Sequence, residues 1–221
     1  MTIVLPEDPT LDEVRAYLAP HLATPAAFDG WNETPVLAAA EVAGVDADLA
    51  RLSFNAGPVD MIDAWFAAVD RQMAAKYSAE ELGEMKIRQR IKALVEARLE
   101  ALEADREGLR RALAILAAPP HIHKAAKMGW RAADKMWRLA GDTTTDYNHY
   151  TKRALLSGVY GSTISVFLDD ESEDFANSRA FLDRRIENVM QFEKVKAKVT
   201  GRGGDGFSMA RFVGRMRYRR T

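Results

Sequence analysis

Apolar residues recur at spacings of three and four along nearly the whole chain, the period of an amphipathic helix. Leu11, Val14 and Leu18 share one helical face and predict a first helix over residues 10–22. Thr34–Ala43 and Asp46–Phe54 read as two short helices around a turn at Gly44–Val45. Pro58 opens a longer helix to about Tyr77, since proline suits the first helical turn. Residues 78–106 read as one charged amphipathic helix, with Ser78 and Glu81 spaced as a capping box. Its apolar side holds Leu82, Met85, Leu94, Val95, Leu99 and Leu102. Residues 107–118 continue as an Ala/Leu helix that Pro119–Pro120 ends, and residues 121–140 follow with Trp130 and Trp137 two turns apart. Residues 175–196 make the next, striped by Phe175, Leu182, Ile186 and Val189. No β-branched alternation bounded by turn residues is visible, so the pattern predicts an all-α chain.

One stretch departs from simple amphipathicity. Thr143 and Asp146 have the spacing of a capping box, and a helix from there reaches about Leu168. One face is small (Ala154, Gly158, Gly161, Ser165), the other bulky and apolar (Leu156, Val159, Tyr160, Ile164, Phe167). A glycine inside a helix costs roughly 1 kcal/mol against alanine. Two of them suggest close packing by another helix, while the bulky face suits a core or an apolar cavity. Ser157, Ser162, Thr163 and Ser165 make the run too polar to span a bilayer, which takes about 20 apolar residues.

With 48% apolar residues in 221, a sizeable core is available. The net charge of −1 hides three zones. Residues 1–70 carry two basic residues against 12 acids, residues 71–190 carry 20 against 18, and residues 191–221 carry nine against two. Cysteine is absent, which excludes disulfides, thiolate metal sites and cysteine nucleophiles. Met1–Pro6 has neither a basic region nor a long apolar run, and the first 50 residues are acidic. Secretion and organelle import are therefore not predicted, and the expected location is cytoplasmic, on the cytosolic face of a bacterial inner membrane.

The two short helices around Gly44 have a helix-turn-helix layout, but its chemistry is wrong for DNA. Duplex affinity rests on Lys and Arg meeting phosphates, whereas the second helix opens with Asp46 and Asp48 and offers only Arg51. Ala47, Leu49, Ala50 and Leu52 stand where base-reading side chains belong. No nucleic-acid partner is expected. His121 and His123 are two apart and do not face each other on a helix, so a helix-start or surface role outweighs metal binding. The acids of Asp169–Asp174 lack the spacing of a calcium loop and read as a helix N-terminus. No catalytic constellation appears, and no metal or catalytic cofactor is called for. After the linker at Gly201–Gly206, Phe207, Met209, Phe212, Val213 and Met216 recur at near-helical spacing, with Arg211, Arg215, Arg217, Arg219 and Arg220 among them. Such a cationic helix with an apolar edge lies at a membrane surface.

The string from Gly129 to Tyr160, GWRAADKMWRLAGDTTTDYNHYTKRALLSGVY, resembles the ubiquinone biosynthesis accessory protein family. These are lipid-binding, catalytically inert proteins with the fold of TetR-type regulators. The resemblance implies a TetR-regulator-like helical bundle in three parts: a degenerate helix-turn-helix region (1–77), a lipid-binding and dimerisation body (78–198), and a linker with an amphipathic membrane-binding tail (199–221). Residues 145–168 and 174–196 would pair with their twins in a homodimer. An isoprenoid lipid or quinone intermediate would sit among Trp130, Leu156, Val159, Tyr160, Ile164 and Phe167. By themselves the residues 146–153 suit either a helix start with its tyrosines in the core or an exposed docking patch. The resemblance favours docking of the di-iron demethoxyubiquinone hydroxylase by Met136, Trp137, Asp146, His149, Tyr150 and Arg153. His149 departs from the family, where that position is often tryptophan. The competing class is a TetR-type regulator that senses an apolar ligand.

Overall fold

The computed structural model describes residues 5–143 and 147–201, and its described residues contain helices and turns but no strand. The head is built from α1 (Leu11–Leu18), α3 (Glu33–Ala43) and α4 (Ala47–Ser53), which pack on one another. Thr10 and Glu13 close a full capping box at α1. Asp46 caps α4, its carboxylate accepting from the backbone N–H of Asp48 and Leu49 at 3.0 Å. Between α3 and α4 the chain reverses at Gly44, whose φ of 67° lies in the left-handed region that glycine adopts without strain.

A helix that the pattern leaves unpredicted, α2 (Ala23–Asp29), fills the gap after α1. Its segment ATPAAFD has no bulky periodic stripe, so no amphipathic signal marks it. Its register is set by packing: Ala23 and Ala26 are buried, and Gly108 comes so close that a Cβ there would lie 2.5 Å from the Ala23 carbonyl oxygen. Trp31 follows, donating its Nε1–H to the Gly108 carbonyl at 3.0 Å and packing tilted against Trp65 with 5.3 Å between ring centroids. Trp65 belongs to α5 (Pro58–Ala75), the long helix that starts at Pro58 as predicted and touches both head and body.

The single helix expected over 78–106 is two. Ser78 and Glu81 do form the capping box of α6 (Ala79–Glu84), but Met85 and Lys86 are extended before α7 (Ile87–Glu100) begins. The break is held by Arg90. Its guanidinium donates to the carbonyls of Gly83, Met85 and Ala140 at 2.9–3.0 Å, taking up oxygens that a helix end leaves without partners. A favourable break of this kind leaves no trace in hydrophobic periodicity, which runs through it.

The body continues with α8 (Arg106–Leu116), α9 (Ile122–Leu139), α10 (Tyr147–Phe167) and α11 (Ala176–Gly201). Helix α9 packs along α10 and also meets α5, α7 and α8. Asp170 anchors the start of α11, accepting from the N–H and hydroxyl of both Ser172 and Ser178 at 2.5–3.0 Å. Burial alone would raise the Asp170 carboxyl, but these hydrogen bonds more than offset it and hold it well below the usual carboxylate range. Residues 1–183 form one compact unit; a second, 184–221, begins inside α11 and remains helical to Gly201.

Candidate functional site: an apolar cavity with a polar floor

Helices α5, α7, α8, α9 and α10 leave between them a cavity of about 720 Å³, within the roughly 300–1,000 Å³ range of small-molecule sites. Phe66, Leu113, Leu116, Trp130 and Ile164 supply much of its apolar wall, and Ile122, 57% exposed, stands at the rim. Of the six residues expected to bind lipid, Trp130, Tyr160 and Ile164 line this cavity. Leu156, Val159 and Phe167 are buried but are not among its lining residues. Phe167 instead packs on Phe175, 4.9 Å between centroids, with the Arg106 guanidinium 5.3 Å from each ring.

The small face of α10 borders the cavity along part of its length. Ala154, Gly161 and Ser165 border the cavity, and a Cβ built on Gly158 or Gly161 meets nothing within 4 Å. Ala154, Gly158, Gly161 and Ser165 are all exposed in the single chain, and Gly158 is not among the cavity's lining residues.

Beneath the apolar wall lies a buried polar cluster that periodicity gives no hint of. Arg98, 2% exposed, pairs through Nη1 with Asp70 and donates its Nε–H to the Tyr160 hydroxyl oxygen at 2.5 Å. Its guanidinium carbon also lies 5.2 Å from the Tyr160 ring centre and 5.7 Å from that of Phe66. Arg131 adds an ion pair to Asp70 at 3.5 Å and another to Asp63 at 2.6 Å. Burial pushes the Tyr160 hydroxyl up, against the opposing influence of Arg98. Burial also lowers the Lys135 ammonium nearby, with Arg71, Arg98 and Arg131 acting in the same direction. Apolar helix stripes identify which faces meet, whereas the meeting of Asp70, Arg98 and Tyr160 depends on three separate helices.

The expected docking patch divides. Tyr150 is 62% exposed and lies 6.1 Å from Trp130, ring centre to ring centre, so it adjoins the cavity wall. Trp137 is half-buried; its Nε1–H donates to the Lys152 carbonyl at 3.0 Å while the Lys152 ammonium lies 5.3 Å from its ring. His149 is half-buried and meets Tyr150 edge to face at 5.1 Å. Met136 and Arg153 are buried and do not belong to an exposed surface. Arg153 is drawn inward by two carboxylates, Asp134 at 2.6 Å and Asp142 at 3.0 Å, and also donates to the His149 carbonyl. Burial alone would raise Asp134, but the Arg153 hydrogen bond and nearby Arg138 hold it below its usual value. Asp146 and the membrane residues Phe207, Met209, Arg211, Phe212, Val213, Arg215 and Met216 lie outside the described residues. Among the described residues no helix is long and apolar enough to cross a membrane.

A family model matches part of these helices. The family model COQ9 matches residues 122–193, which cover α9, α10 and much of α11. The rat protein "Ubiquinone biosynthesis protein COQ9, mitochondrial" is 30% identical over 180 residues, covering 79% of this chain and 58% of the rat protein. Its human counterpart is 37% identical over 109 residues, 49% of this chain and 34% of the human protein. The Schizosaccharomyces pombe coq9 protein is 23% identical over 188 residues, 85% of this chain and 74% of its own length. The chain thus spans just over half the rat COQ9 length and about a third of the human one. A TetR transcriptional regulator from Nitrosomonas europaea superposes with a TM-score of 0.60 at 24% identity, over 83% of this chain and 99% of that one. The fold is TetR-like and all-α, and the cavity lies in its helical body, lined in part by residues of the matched segment.

Proposed function

We propose that this protein acts in ubiquinone biosynthesis as a non-catalytic lipid-binding protein that presents polyprenyl quinone intermediates to the demethoxyubiquinone hydroxylase. The apolar cavity carries the reading, because it is lined in part by the segment that the COQ9 family model matches, with Trp130, Ile164, Ala154 and Gly161 at its border. The names of the relatives support the pathway. Tyr150, exposed beside Trp130, would meet the hydroxylase at the cavity rim, with Trp137 next to it; Arg153 would hold the start of α10 in position from within. The 207–221 segment would seat a homodimer on the cytoplasmic face of a bacterial inner membrane through its arginines and apolar edge.

The regulator alternative gains little support from the head. Asp46 takes the N–H groups at the start of α4 that would otherwise favour a phosphate, and Arg51 is held by Glu33 at 2.5 Å and Asp48 at 2.7 Å. The decisive experiment is mass spectrometry of lipids that co-purify with the full chain and with Gly161→Leu. The wild type should carry an isoprenoid lipid. The variant, which fills the cavity and replaces a helical glycine, should fold and arrive empty. Empty wild-type protein, or equal loading of both, refutes the lipid reading.

A further inference from the structure

The cavity floor holds hydrogen-bonding capacity that the chain leaves unused. Arginine has only donors. Arg98 directs Nε–H to Tyr160 and Nη1 to Asp70, and among the described residues its Nη2 makes no hydrogen bond. Tyr160 is thereby the acceptor in its contact with Arg98, so its own O–H must point elsewhere. Among the described residues no acceptor receives it. Both side chains are buried, both line the cavity, and the wall around them is Phe66, Leu113, Trp130 and Ile164. A buried donor left without a partner destabilises whatever state contains it. An apolar ligand that brings one oxygen to this point satisfies the donor, and a pure hydrocarbon does not.

We propose that Arg98 and Tyr160 form an oxygen-acceptor subsite that orients the ligand, polar end down, and selects lipids with a carbonyl oxygen over hydrocarbon of the same length. The inference rests on reading the cavity as a lipid site. Arg98 fixes the direction of the Tyr160 hydroxyl by occupying its lone pair, and the Tyr160 O–H donates to the ligand. The subsite favours a neutral oxygen over a carboxylate, because the cations around it already face acids: Arg98 meets Asp70, and Arg131 meets Asp70 and Asp63. A second negative charge would have to compete with Asp70 for the same guanidinium. Lys135 adds positive potential but does not line the cavity.

The test is displacement of the neutral fluorescent probe N-phenyl-naphthylamine from the full chain by three ligands sharing one tail: decyl-benzoquinone, decylbenzene and decanoate. Wild type should bind the quinone about tenfold more tightly than decylbenzene, the worth of one buried hydrogen bond. Tyr160→Phe should shrink that preference, read as the ratio of the two affinities in the same variant, to less than about threefold. Equal binding of quinone and decylbenzene by wild type overturns the subsite and leaves the lipid cavity standing. So does a preference retained by Tyr160→Phe, or tighter binding of decanoate than of quinone. Failure of all three ligands to bind removes the lipid reading itself, and the subsite with it. The wild-type comparison decides the matter even if the variant does not fold.

Discussion

The head and the body of this molecule use arginine in opposite ways. In the head, Arg51 lies on the surface of α4 between Glu33 and Asp48, in water that screens all three. In the body, Arg98 is out of water and its charge depends on Asp70, while Tyr160 shares its donors at a cavity wall. The first arrangement removes a positive charge from a surface where DNA would need one. The second concentrates directional hydrogen bonding where an apolar ligand would end. One residue type thus meets acids in both places, and solvent access separates the two outcomes.

The contrast is open to measurement. Replacing Arg98 with methionine deprives a buried carboxylate of its main partner and should destabilise the protein by about 4 kcal/mol in urea unfolding. A loss below about 1 kcal/mol would put Arg98 in the same class as a surface pair. Gly108→Ala tests packing between head and body elements without charge. Its methyl would meet the Ala23 backbone at 2.5 Å, and about 2 kcal/mol should be lost as α2 and α8 separate. A wild-type midpoint would mean that the contact relaxes freely.

Asp170 offers the acid counterpart, a buried cap against the exposed cap Asp46. Its carboxyl is lowered in the folded state, so its stabilisation is complete above the ordinary carboxylate pKa and disappears as pH falls through the folded value. Asp170→Asn should therefore cost about 2 kcal/mol at neutral pH, and the gap from wild type should narrow below about pH 4. A gap that widens in acid contradicts the assignment. The smallest effect belongs to Arg51→Ala, which should leave the urea midpoint unchanged, and neither it nor the wild type should retard duplex DNA. A shift as large as that of Arg98→Met would erase the distinction between the two regions.

Periodicity in the sequence was sufficient for the all-α class, for the start of α5 at Pro58, for the Ser78–Glu81 cap and for the layout around Gly44, because each depends on neighbours within a turn or two. The long string from Gly129 to Tyr160 was distinctive enough to suggest the family, and Trp130, Tyr160 and Ile164 of the residues singled out line a cavity. Local pattern failed where a distant group decides. Arg90 breaks the 78–106 helix by reaching Ala140, and α2 exists through its fit to Gly108. Arg153 reads as a surface cation until Asp134 and Asp142 enclose it. Tyr160 reads as apolar bulk until Arg98, 62 positions away, turns it into a hydrogen-bonding group. Helical faces follow from the chain's own 3.6-residue repeat, so the sequence alone determined them. Which charges leave water, and which donors look into the cavity, was decided by tertiary structure, because burial and partnership depend on several helices at once.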